Sequence, residues 1–129
     1  MMRRITIFSL FLFLAFASEA LANKTEASLA GPESAAVGTE VTITVNISHR
    51  GNSAFHYTDW VWVKADGVEI ARWDFKPSSR PESEKFSREV KFMVTKSVEI
   101  TAEGHCSLHG SKAPAVLKIS LKESGEVRP

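Results

Sequence analysis

One short segment concentrates the residues able to do chemistry: Gly104-His105-Cys106-Ser107-Leu108-His109-Gly110. Its Cys-x-x-His spacing sets a thiol and an imidazole on one turn, near enough to share an ion. Sulfur and imidazole donors together suit iron, copper or zinc rather than calcium or magnesium. Cys106 is the only cysteine among 129 residues. A lone thiol is open to three roles: a buried structural residue, half of an intermolecular disulfide, or a metal ligand. The two histidines outside this segment, His49 and His56, stand on either side of one short loop.

Strand periodicity says how these side chains meet. Alternate residues of a strand face the same way. Val98, Ile100 and Ala102 set an apolar face, and continuing it brings Gly104 and Cys106 inward and turns His105 outward. Val41, Ile43, Val45 and Ile47 alternate with Thr42, Thr44, Asn46 and Ser48, which places His49 inward at the strand's end. Gly51-Asn52-Ser53 marks a loop, and His56 opens the aromatic strand from Tyr57 to Val63. Cys106, His109, His49 and His56 are therefore expected at one end of a rigid β scaffold, a common place for function.

The rest of the chain fits the same architecture. Asn23 to Gly38 is small and polar and is expected to lie as an arm against the domain. Asp66-Gly67 marks a hairpin turn before a return strand from Val68 to Phe75. Lys76 to Glu84, with Pro77 and Pro81, is a loop. Phe86, Val90, Phe92 and Val94 set a further strand whose apolar face Arg88 interrupts. Leu117, Ile119 and Leu121 set the last one. No segment shows a helical period and no repeat is present. The expected fold is all-β, an immunoglobulin-like β-sandwich of about seven short strands, without the inter-sheet disulfide.

The charge balance, 16 Lys and Arg against 15 Asp and Glu, carries no basic stripe and excludes nucleic acid as an expected partner. Met1 to Arg4 give a basic start, Ile5 to Ser18 is almost wholly apolar, and Ala20-Leu21-Ala22 is a small-x-small cleavage pattern. That order reads as a secretory signal peptide over residues 1–22. The apolar run is shorter than the roughly 18 residues of a membrane span. Its arginine pair lacks an extended twin-arginine pattern, so the general export route is expected. The mature domain, 23–129, is formally neutral once Arg3, Arg4 and Glu19 are gone. It is expected in the periplasm or secreted, with no membrane insertion after cleavage. A domain of this size buries a real core without disulfides.

Taken in order, His49, His56-Tyr57-x-x-Trp60, Ala65-Asp66-Gly67 and Cys106-x-x-His109-Gly110 resemble the iron domain of superoxide reductases, the desulfoferrodoxin and neelaredoxin group. The resemblance runs from about Lys24 to Leu121. It implies an immunoglobulin-like β-sandwich holding one mononuclear iron that cycles between ferrous and ferric states. It further implies four equatorial histidines, an axial cysteine thiolate that tunes the metal, and an open position where superoxide is reduced to hydrogen peroxide. By this resemblance Cys106 is the axial thiolate, and His109, His49 and His56 are equatorial ligands. Counting back from Pro32 and Gly38-Thr39-Glu40, Lys24 matches the family's active-site lysine, whose charge attracts the anion. The remaining equatorial histidine is Thr25 in this chain, and the glutamate that often precedes the lysine is Asn23. Arg50 replaces a proline and Ser107 an asparagine.

Superoxide is thus the implied small-molecule substrate. The chain has no second redox centre and no four-cysteine rubredoxin-like site, so electrons must come from a partner protein. A homo-oligomer is left open. Two other readings compete. A copper-binding or electron-carrying β-sandwich also uses a histidine and a cysteine loop, but no methionine follows His109 (the last is Met93) and the pair His49 and His56 supplies one histidine too many. A metal-free binding module is favoured by Thr25 and opposed by the retained thiol and imidazoles.

Overall fold

The computed structural model describes residues 23–122; the expected signal peptide lies outside them. Eight strands run in order: β1 Glu26–Ala30, β2 Ser34–Ala36, β3 Thr39–Ser48, β4 Thr58–Ala65, β5 Val68–Asp74, β6 Lys85–Val94, β7 Val98–Cys106 and β8 Ala115–Lys122. They form two sheets, β1-β3-β6 and β2-β8-β7-β4-β5. The all-β immunoglobulin-like sandwich expected from periodicity is what the chain adopts.

Each sheet turns an alternating apolar face to the other. In β3 the buried set is Val41, Ile43, Val45 and Ile47; in β7 it is Val98, Ile100 and Ala102. Val61 and Val63 of β4 and Ile119 of β8 complete the centre of the core. Burying each such side chain is worth about 1.5–3 kcal/mol, so a one-residue slip of any of these strands would forfeit several of them at once. β3 and β6 pair antiparallel over their full length, from Thr39 opposite Val94 to Ser48 opposite Lys85. Arg88 sits on the inward parity of β6 without entering the core. Its guanidinium lies over Phe86 and Phe75 and makes paired hydrogen bonds to Glu82.

The N-terminal arm departs from expectation, because it builds two strands. Ala27 and Leu29 face the core from β1, paired opposite Ile47 and Val45 of β3. Small and polar neighbours hide that period of two in the sequence. The chain then turns at Gly31-Pro32 and crosses to the other sheet, where β2 pairs parallel with β8.

A bulge in β4 shapes the site. Counting alternately back from Val63 and Val61 would turn Asp59 inward. The pairing with β7 shifts register between Thr58 and Trp60, and an extra residue in one strand reverses the facing of what precedes it. Thr58 is consequently buried and Asp59 lies on the outer face.

Candidate metal centre

Three segments converge at the end of the sandwich where β3 and β7 finish. His49 extends the inward face of β3 by one residue and is 3 % exposed; its backbone amide donates to the Glu84 carbonyl at 3.0 Å. His56 closes the following loop through reciprocal backbone hydrogen bonds with Ser53, and Asn52 anchors that loop by donating to the Pro81 carbonyl at 2.9 Å. Gly51 is required there, since a Cβ on it would lie 2.5 Å from His56 Nδ1.

Cys106 ends β7, fully buried, and so has no surface for a disulfide with another chain. A tight turn joins it to Gly110 through Cys106 N to Gly110 O at 2.8 Å and Gly110 N to Cys106 O at 3.0 Å. The positive φ of Gly110, 81°, closes that turn. Within it the amide of His109 donates to Cys106 Sγ at 3.4 Å. Ser107 ties the turn to the start of β4, its amide donating to the Tyr57 carbonyl and its hydroxyl accepting from the Tyr57 amide.

The donor atoms face one another. One ring nitrogen each from His49 and His56 and the Sγ of Cys106 all lie within 4.8 Å of one another. His49 Nε2 is 3.2 Å from His56 Nε2, which is 3.3 Å from His109 Nδ1, which is 3.7 Å from Cys106 Sγ. On the other side of His49, the backbone carbonyl of Asn23 is 3.1 Å from Nε2. Donors at right angles around a first-row ion, each about 2.1 Å from it, stand about 3.0 Å apart. The run Asn23 O, His49 Nε2, His56 Nε2, His109 Nδ1 keeps that spacing at each step. The imidazoles of His49 and His56 and the sulfur of Cys106, with His109 beside them, are donors of the kind that iron, copper or zinc takes. Burial, and then the neighbouring His56, push the His49 imidazole below its ordinary pKa, which keeps it unprotonated and able to bind an ion.

Thr25, which the resemblance matches to the remaining equatorial histidine, supplies no donor to this group. It is fully buried behind His49, with its hydroxyl 3.2 Å from that of Thr58; the Thr58 hydroxyl in turn is 3.1 Å from His49 Nδ1. His105 stays out, as its parity requires. It stacks on Trp60 with centroids 4.7 Å apart, and its Nδ1 meets Asp59 at 2.6 Å on the outer face. Lys24 lines an open cavity of about 290 Å³ together with His49, Arg50, Lys112, Ser48 and Glu26. Lys112 donates to Glu26 at 3.1 Å, so the cavity beside His49 carries a net positive charge.

Thr58, Lys112 and the Asn23 carbonyl were not singled out by sequence. A bulge, an ion pair across strands and a main-chain atom leave no signature in residue type or spacing.

No protein-family model and no curated protein matches the sequence. Solved structures do. A variant of the superoxide reductase (neelaredoxin) from Ignicoccus hospitalis is 21 % identical over 80 % of this chain and 85 % of that one, with a TM-score of 0.65. Another structure of that protein is 19 % identical over 77 % and 80 %, with a TM-score of 0.57. The fibronectin(III)-like modules of Clostridium thermocellum CbhA are 17 % identical over 78 % of this chain and 48 % of that one, with a TM-score of 0.54. At these identities the likeness is one of fold. The chain is an immunoglobulin-like β-sandwich similar in shape to superoxide reductases, with a group of histidine and cysteine donors at one end.

Proposed function

We propose that this protein is an exported mononuclear iron protein that reduces superoxide to hydrogen peroxide. The observation that carries the reading is the group of donors from His49, His56 and Cys106, within 4.8 Å of one another and with His109 Nδ1 beside His56 and Cys106, at the end of a superoxide-reductase-like fold. Iron held by these atoms supplies the one-electron chemistry. The remaining work falls to the chain. Cys106 provides the sulfur ligand, and the His109 amide, donating to it, steadies its charge. Lys24, Arg50 and Lys112 draw the substrate anion into the cavity beside His49. Two protons, ultimately from solvent, complete hydrogen peroxide. Three converging imidazoles exceed the two of a blue-copper site, which favours iron over a copper electron carrier.

Reduction of one superoxide to hydrogen peroxide consumes one electron, which a donor protein would resupply through a metal held by these residues. Phe55 and Leu108 are 86 % and 63 % exposed beside His56 and His109, offering apolar contacts where such a donor would come nearest the metal. Residues 1–22 as a signal peptide would place the domain in the periplasm or outside the cell.

Protein prepared without oxygen should bind one iron per chain, and its ferric form should show a thiolate-to-metal charge-transfer band that Cys106→Ser lacks. Stopped-flow mixing of the ferrous form with superoxide should show metal oxidation with peroxide release. Retention of the band in Cys106→Ser would sink the ligand assignment, and absence of peroxide would sink the activity.

A further inference from the structure

The metal-centre reading accounts for the His49 Nε2 side and leaves unexplained a buried polar chain on the other side of the same ring. Thr25 and Thr58 are 0 % and 2 % exposed, yet both carry hydroxyls. Buried hydroxyls are costly unless hydrogen-bonded, and these are bonded to each other and to His49 Nδ1, at 3.2 and 3.1 Å. The structure goes out of its way to hold them there. The β4 bulge is what turns Thr58 inward, and Gly104 is what leaves room for Thr25, since a Cβ on Gly104 would lie 2.7 Å from Thr25 Cγ2.

A hydroxyl can donate or accept, so the chain has two directions. In one, the Thr58 hydroxyl donates to Nδ1, and the ring's proton sits on Nε2 and is donated to the Asn23 carbonyl. In the other, Nδ1–H donates to Thr58, whose own proton turns to Thr25, and Nε2 presents a bare lone pair to the histidine and cysteine donors. Only the second can bind a metal, because a ligating imidazole must carry its proton on the other nitrogen. The two forms have the same charge; a proton is lost from Nε2 and one gained at Nδ1.

We propose that Thr58 and Thr25 are positioning residues that set the tautomer of His49, and that metal binding reverses the direction of their hydroxyl chain. Thr58 is the acceptor that makes the ligating tautomer affordable in a buried site. Thr25 gives the Thr58 proton somewhere to go. On this view Thr25 serves the centre from behind a ligand, at the position that the resemblance assigns to an imidazole. The inference rests on the metal-centre reading.

The test uses histidine-labelled (15N) protein, metal-free and loaded with Zn(II) as a diamagnetic probe. In the metal-free protein, wild-type His49 should be protonated on Nε2 and donate to the Asn23 carbonyl. With Zn(II), wild-type His49 should be protonated on Nδ1. Thr58→Val should weaken Zn(II) binding about tenfold, Thr58→Ser should restore it, and Thr25→Val should weaken it about threefold. A wild-type His49 already protonated on Nδ1 without metal, or wild-type Zn(II) affinity in Thr58→Val, would overturn the relay. A wild-type protein whose His49, His56 and His109 signals ignore Zn(II) would instead overturn the metal centre on which the relay rests. The response of the wild-type histidine signals to Zn(II) tells the two failures apart.

Discussion

His49 Nε2 and His56 Nε2 face each other at 3.2 Å with their rings at 90°. One proton can be shared across that gap, and two would repel. An ion about 2.1 Å from each nitrogen would see them about 100° apart, close to the right angle of adjacent ligands. The apposition arises because β3 and the loop after it deliver two rings to one point, and it motivates the measurements below.

Acid should destabilise the metal-free protein through His49. Its folded pKa lies below the ordinary value of 6.5, chiefly through burial. As pH falls below 6.5 the unfolded chain takes up a proton that the folded one refuses, so stability is full above 6.5 and is lost as pH falls towards the lowered folded pKa. Thermal melts of metal-free protein should show that decline, and His49→Asn should flatten it.

Two glycines hold space for site residues, and they should fail differently. Gly104→Ala puts a Cβ 2.7 Å from Thr25 Cγ2 and 3.1 Å from Ile47 Cδ1. Denaturant melts should register a loss of about 1–3 kcal/mol. Gly51→Ala presses on the His56 ring at the edge of the fold. Its melting should change less, while metal titration should show weakened binding.

Charge around the cavity should appear in the kinetics. Lys24, Arg50 and Lys112 surround the approach to His49. The rate with superoxide should fall as salt rises. Arg50→Gln with Lys112→Gln should lower the low-salt rate by up to about tenfold and flatten the salt dependence. Stopped-flow runs across ionic strength check both, and an unchanged slope would remove these residues from the approach path.

Phe55 and Leu108 should matter to a protein donor and to nothing smaller. Phe55→Ser with Leu108→Ser should slow reduction of the ferric form by a small redox-carrier protein. Reduction by dithionite should proceed at the wild-type rate, because both side chains are exposed and outside the core. Equal slowing with both reductants would point to damage at the metal instead.

Much of the site was legible because strands alternate. Period two in β3 and β7 places His49 and Cys106 inward and His105 outward, and the structure has them so. His109 follows from its place on the same turn as Cys106. Less of the arm was legible, because Ala27 and Leu29 alternate with residues too small and mixed to declare a strand.

What the sequence determined by itself is therefore local: which side chains carry donors, which strands they sit on and which way they face. Tertiary structure decided what stands beside them. The bulge that turns Thr58 towards His49 depends on pairing with β7, and the carbonyl of Asn23 reaches Nε2 because β1 lies alongside β3. Register and main-chain position are properties of paired strands, set by the packing of the whole sandwich. No residue type announces them in advance.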